Sequence, residues 1–245
     1  KVIPITTHIR DGFDLPSVDA FKEKLTSKTR AVLFSNPVNP TGAVFSRKRL
    51  EELIDFIKEN DLYIISDEAY REFSYGDRKA YSILEFDGIE DNAIMIDSVS
   101  KRYSACGARI GCIVSRNMKL LDLVLKFGQA RLCPPTIDQL AAEAAVDTPV
   151  EYFEVVLHEY KSRRDFAYNS LSSIPGVNVE RPDGAFYMIA ELPVEDAEKF
   201  SQWLLTDFRL KGSTTMLAPA SGFYGTPGLG QNQVRLAYVL NIKEL

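Results

Sequence analysis

Four short apolar runs most constrain how this chain can fold: AVLFS at 31–35, LYIIS at 62–66, AIMI at 93–96 and IGCIVS at 110–115. Each is too short for an ordinary helix and too apolar for a strand with one wet face. Such runs suit strands buried in a parallel sheet. Amphipathic stretches lie between them. Ser46 is placed to cap a helix running to about Asn60, with Leu50, Leu53, Ile54 and Ile57 on one face. Strands alternating with helices predict an α/β chain, with a mostly parallel sheet and helices on its faces. After the first run, NPVNPTG at 36–42 places Pro37, Pro40 and Gly42 within seven residues, so neither helix nor strand can continue there. A short strand at 2–6 and a helix at 18–25 are also predicted.

The second half reads differently. Helices are predicted at 118–129, 136–146 and 149–171, and Pro175-Gly176 ends the pattern. Strands at 177–179, 185–191, 215–218 and 234–239, with a helix at 194–208, predict a smaller α+β domain. The boundary is placed in the long helix near Val150, dividing the chain into 1–150 and 151–245.

With 245 residues, 45% of them hydrophobic, the chain can bury a real core. A net charge of -5 gives a nucleic-acid partner no electrostatic support. No apolar run is long enough to span a bilayer as a helix, so no membrane partner is expected. Cys106, Cys112 and Cys133 form no CxxC pair, which suits reduced thiols and a cytoplasmic protein. His8 and His158 are too few and too far apart to suggest a metal site or a serine–histidine triad.

Asn39, Asp67, Tyr70 and Lys101 each follow the C-terminal end of a predicted strand. Open parallel sheets bind ligands at that edge. Each residue also has a plain structural role open to it: Asn39 in its own turn, Asp67 as a cap, Tyr70 in the core, Lys101 in a serine-rich turn. Lys101 is preceded by Ser98 and Ser100 and followed by Arg109. Partial desolvation favours the neutral, nucleophilic form of an amine. Two hydroxyls and a guanidinium suit a phosphate dianion. Together these residues suit pyridoxal 5'-phosphate held as a Schiff base. In that arrangement a carboxylate pairs with the ring nitrogen, and a tyrosine and an asparagine contact the phenolic oxygen.

Five motifs in order carry a resemblance: SNPVNPTG at 35–42, SDEAY at 66–70, SVSK at 98–101, GARIG at 107–111 and VRLAYV at 234–239. The chain resembles the class I/II pyridoxal-phosphate aminotransferases of fold type I, the aspartate aminotransferase group. The resemblance implies the C-terminal part of the cofactor-binding large domain followed by the small domain, and a homodimer in the full-length protein. It implies that Lys101 is the Schiff-base lysine and proton shuttle, Asp67 the partner of the pyridine nitrogen, and Tyr70 and Asn39 contacts of the phenolic oxygen. Ser98, Ser100 and Arg109 would bind phosphate. Arg235, with Asn39 beside it, would bind substrate by clamping the α-carboxylate, since a planar fork matches a carboxylate. Amino acids and 2-oxo acids would be the substrates.

Members of the family begin well upstream, with an N-terminal arm, a Gly/Ser/Thr phosphate loop and an aromatic that stacks on the ring. Trp203, in a predicted small-domain helix, does not replace that aromatic. The chain is therefore expected to be the C-terminal portion of such an enzyme, which by itself binds cofactor weakly and transaminates little. A lyase or decarboxylase on the same fold, and a non-catalytic fragment, are the alternatives. SVSK also fits the S-x-x-K of acyl-serine enzymes, but the S-D-N and K-T-G partners are absent, Lys211-Gly212-Ser213 being the nearest approach. Arg131 is a candidate second cation for an acidic substrate side chain.

Overall fold

The four apolar runs form one sheet, in a computed structural model that describes residues 1–76 and 78–245. Its strands are β1 (Ala31–Ser35), β2 (Tyr63–Asp67), β3 (Ala93–Ser98) and β4 (Gly111–Val114), in the order β1-β2-β3-β4. The first three are parallel, and β4 runs antiparallel to β3. Ser35 pairs with Asp67, and Asp67 with Ile96, so the three parallel strands end at one edge.

Helix α1 is Val18–Lys22 and α2 is Arg47–Glu59. The Ser46 hydroxyl accepts from Arg49 N at 3.3 Å and starts α2 as a cap should. Leu50, Leu53, Ile54, Phe56 and Ile57 of α2 are buried with Ile64 of β2 and Met95 of β3. Each such side chain contributes roughly 1.5–3 kcal/mol by leaving water. The other face of β1 is open: Leu33 is 71% exposed, although its run reads as a strand buried on both sides.

Residues 2–6 form no strand, and Val2 is 89% exposed. Pro4 has no N–H to offer a ladder. Helix α1 stops three residues short of its predicted end, where Thr26 and Thr29 bond to each other's turn. Hydroxyl side chains that bond locally compete with helix continuation.

A one-turn helix α3 (Val99–Arg102) follows β3. Next come α4 (Met118–Arg131), α5 (Thr136–Ala144) and the long α6 (Val150–Ser172). The second sheet comprises β5 (Asn178–Val179), β6 (Tyr187–Glu191), β7 (Ala218–Pro219) and β8 (Gln233–Ala237), all antiparallel, in the order β5-β6-β8-β7. Between β6 and β7 lies α7 (Ala197–Thr206), capped by Asp196, whose carboxylate accepts from Glu198 N and Lys199 N at 3.0 Å. Tyr75, Ala185, Met188, Val234 and Tyr238 are buried in this second core.

The two sheets meet at a backbone seam. Gly184 N donates to Gly42 O at 2.8 Å, Ala185 N to Phe73 O at 2.9 Å and Tyr75 N to Asp183 O at 2.6 Å. A Cβ on Gly42 would lie 2.3 Å from Pro182 Cβ and 2.7 Å from Tyr187 O; one on Gly184 would lie 2.6 Å from Val44 Cγ2 and 2.7 Å from Phe73 O. Only glycine permits backbones to approach so closely. The seam sits immediately beside the carboxyl edge of the first sheet.

Candidate active site

Three chain exits share that edge. After β1, Asn36 N donates to Asp67 O at 3.0 Å and Asn36 Oδ1 accepts from Phe45 N at 2.9 Å, which pins both ends of the proline loop. The Asn36–Pro37 and Asn39–Pro40 bonds are cis. Asn39 is exposed near the loop apex. After β2 comes Asp67, exposed, with Oδ1 accepting from Ala69 N at 3.1 Å. It caps this turn, which does not continue into a helix. Tyr70 follows and is buried, its hydroxyl 3.0 Å from that of Tyr187. Burial, and then the bond to Tyr187, raise the Tyr70 phenol well above its ordinary pKa.

After β3, Ser98 caps α3. Its Oγ accepts from Ser100 N at 3.1 Å and lies 2.8 Å from Ser100 Oγ and 3.0 Å from Ile110 O. The two hydroxyls thus form one polar point at the start of the turn. Lys101, also on α3, holds Nζ 5.8 Å from the Tyr70 ring centroid and 5.7 Å from that of Phe186. Its amine enters no ion pair among the described residues. Arg109 is exposed, at φ 58°, and its Nη1 donates to Cys106 O at 2.9 Å. Its guanidinium is therefore engaged by its own turn and bonds to neither Ser98 nor Ser100 among the described residues.

Arg235 approaches from β8. Its Nη1 donates to Asn39 Oδ1 at 3.2 Å, and its Cζ lies 4.6 Å from the Tyr187 ring centroid and 4.7 Å from that of Phe223. Its Nε is buried and has no hydrogen-bond partner among the described residues. A half-buried guanidinium with a spare, buried donor is arranged to meet an acceptor.

The structure thus brings Asn39, Tyr70, Lys101 and Arg235 into one chain of neighbours, with Ser98 and Ser100 at the base of the lysine's turn. Asp67 stands at the end of the adjacent strand. Arg131 stands apart from this cluster, exposed at the C-terminal end of α4. Trp203 lies on α7, between Phe200 and Phe208.

Sequence reasoning missed Tyr187, Phe186 and Phe223, which no strand-end rule would select. It also missed the ion pairs beneath the lysine. Asp97 accepts from Ser98 N at 2.7 Å and pairs with Arg102 at 2.5 Å and Arg71 at 3.5 Å; Arg102 also meets Glu72 at 3.1 Å. Burial works against the Arg102 charge, but Asp97 and Glu72 outweigh it and raise its pKa. A carboxylate closing the apolar run AIMI was the available signal for this network.

A mostly parallel sheet followed by a smaller antiparallel one is an arrangement with counterparts among solved structures. An aromatic aminotransferase from Pyrococcus horikoshii OT3 aligns with a TM-score of 0.86 at 32% identity, over 99% of this chain and 63% of that one. An aspartate aminotransferase from Thermotoga maritima aligns at 0.84 and 31%, over 97% and 59%. Residues 1–217 match the family model described as aminotransferase class I and II, and the chain belongs to that family. A probable aspartate/prephenate aminotransferase of Aquifex aeolicus is 32% identical over 96% of this chain and 59% of its own length. An aspartate aminotransferase of Pyrococcus abyssi is 31% identical over 100% and 61%. The chain therefore spans about three fifths of the length of these curated relatives.

Proposed function

We propose that this chain carries the lysine-bearing part of a pyridoxal-phosphate-dependent aminotransferase that moves an amino group between an amino acid and a 2-oxo acid. One observation carries it. The Lys101 amine, without an ionic partner among the described residues, faces Tyr70, whose hydroxyl meets Tyr187, whose ring supports the Arg235 guanidinium. The residues present fit the cofactor. A free amine, a hydroxyl pair and a buried donor lacking an acceptor are what an aldehyde, a phosphate and a carboxylate respectively require.

Bound there, pyridoxal phosphate supplies an electron sink for negative charge developing at the substrate Cα. Lys101 would hold the cofactor and move the proton at that Cα. The Asp67 carboxylate would hold positive charge at the ring nitrogen. Tyr70 and Asn39 would hold the phenolic oxygen, and Ser98 and Ser100 the phosphate. Arg109 would join the phosphate on leaving Cys106 O. Arg235 would orient the α-carboxylate and so fix which Cα bond faces the amine.

Relatives named for aspartate, aspartate/prephenate and aromatic amino acids support a donor range from aspartate to broad. We place the domain division near Val150 and read the full-length protein as a cytoplasmic homodimer. Three free, exposed cysteines suit a reducing compartment.

Borohydride reduction with pyridoxal phosphate, followed by peptide mapping, tests the assignment. The pyridoxyl group should appear on Lys101, and its appearance on another lysine would overturn the assignment. In the full-length protein, Asp67→Ala should keep that labelling and lose turnover by orders of magnitude.

A further inference from the structure

Two of the four buried tyrosines end their hydroxyls on a backbone carbonyl: Tyr75 and Tyr238 both donate to Ala185 O, at 2.5 and 3.2 Å. Tyr187 differs. It is 9% exposed, yet its hydroxyl meets another side-chain hydroxyl, that of Tyr70, at 3.0 Å. Its ring meets the Arg235 guanidinium at 4.6 Å. The sheet register produces this double contact. Tyr187 pairs with Ala237, and Arg235 with Ile189, so Tyr187 and Arg235 are diagonal neighbours on one face of β6 and β8. The seam fixes Tyr187 as well, because its carbonyl oxygen would lie 2.7 Å from any Cβ on Gly42.

We propose that Tyr187 is a positioning residue serving both halves of the site, its ring holding the Arg235 fork in plane for a carboxylate and its hydroxyl holding Tyr70 against Lys101. The proposal rests on the function proposed above. A guanidinium stacked between two rings has lost most of its rotational freedom before any ligand arrives. A carboxylate then binds without that ordering cost. Aromatic faces also keep the charge without accepting its N–H groups. Nε therefore stays available, and it is the donor found without a partner. The hydroxyl does separate work. Tyr70 approaches Lys101 with its ring, and the bond to Tyr187 sets where its own hydroxyl points.

The test separates ring from hydroxyl in the full chain. With arginine side chains labelled with ¹⁵N, 3-phenylpropanoate is titrated against the Arg235 Nε resonance without cofactor. Amino-donor kcat and KM are then measured on the full-length protein loaded with cofactor. Tyr187→Phe should bind the carboxylate within about twofold of the parent and show a lower kcat at unchanged KM. Tyr187→Leu should weaken carboxylate binding by roughly 3- to 30-fold. Phe223→Leu, at a residue 43% exposed and so spared a folding penalty, should weaken it in the same direction. Equal affinity in the parent, Tyr187→Leu and Phe223→Leu would overturn the ring's role. Tyr187→Phe losing as much affinity as Tyr187→Leu, or keeping its kcat, would overturn the division of labour. Should Tyr187→Leu fail to fold, the ring-current displacement of the Arg235 Nε–H decides. It should be present in the parent and in Tyr187→Phe, and its absence overturns the proposal. Because the titration needs no cofactor, a normal Arg235 response with no labelling of Lys101 would refute the function and leave the stacked arginine standing.

Discussion

Arg235 already has a neutral acceptor in Asn39 Oδ1, so a carboxylate reaching it exchanges one bond to an amide oxygen for two to a charged acceptor. The net gain depends on the planar fork. Arg235→Lys keeps the charge and loses the second parallel bond. Amino-donor KM should rise by about 10- to 100-fold, corresponding to roughly 1.5–3 kcal/mol, while cofactor affinity holds. Unaltered Michaelis constants for both amino donor and keto acid would place the carboxylate elsewhere.

Glu68 offers a second test at the same scale. It is fully buried, and its Oε1 accepts from Ile83 N at 2.8 Å. Burial raises its pKa; the Ile83 amide, the Ser82 and Ser66 hydroxyls and Arg71 pull it back without cancelling the rise. The folded state therefore holds more protons than the unfolded state just above the ordinary carboxylate range. Where the unfolded state binds fewer protons, stability falls as pH rises. Glu68→Gln removes that titration. Relative to the parent, it should gain stability as pH rises above the ordinary carboxylate range, as read by urea unfolding. Parallel profiles for the two proteins would contradict the shift. None of this was legible in SDEAY, where Asp67 and Glu68 are adjacent carboxylates with opposite fates: Asp67 is exposed and Glu68 sealed. Strand alternation separates them, and only packing against the short helical turn at Ile83–Glu85 decides which one is buried.

At the scale of elements, period and punctuation carried most of the information. The apolar runs gave the four strands of the first sheet, and Ser46 gave the start of α2. The parallel ladder follows from that alternation. The antiparallel placement of β4 does not, because a short apolar run has no direction written in it. The seam was not legible either. Gly42 reads as a turn residue, and nothing local says that Gly184, far along the chain, closes on it. Their surroundings make a clear prediction. Gly184→Ala should cost about 1–3 kcal/mol through overpacking. Gly128, inside α4 with nothing within 4 Å of a built Cβ, should do the reverse. Gly128→Ala should stabilise by roughly 0.5–1 kcal/mol. Thermal unfolding of the two variants should shift in opposite directions, and shifts of the same sign would show that the seam is looser than its distances.

At the scale of the molecule, apolar side chains remain uncovered. Phe127 of α4 is 79% exposed, Leu132 78%, Ile137 of α5 81% and Leu33 of β1 71%. Surfaces of this kind drive association. Sedimentation should give a mass above the 27.5 kDa of one chain, rising with concentration. Replacing Phe127 and Ile137 together by serine should lower it. A concentration-independent mass of one chain would mean that these side chains find cover within it.

The seam at Gly42 and Gly184 also has a mechanical meaning. The loop holding Asn39 belongs by covalent connection to the first sheet and by hydrogen bonding to the second. A corner fastened in both directions behaves as a pivot. When one body rocks against the other, displacement grows with distance from the fastening. Asn39 sits on the fastened loop itself, and Tyr187, Tyr70 and Arg235 are joined to it through one run of contacts. Any rocking about that corner would move Asn39 and Tyr187 less than parts of the chain remote from it.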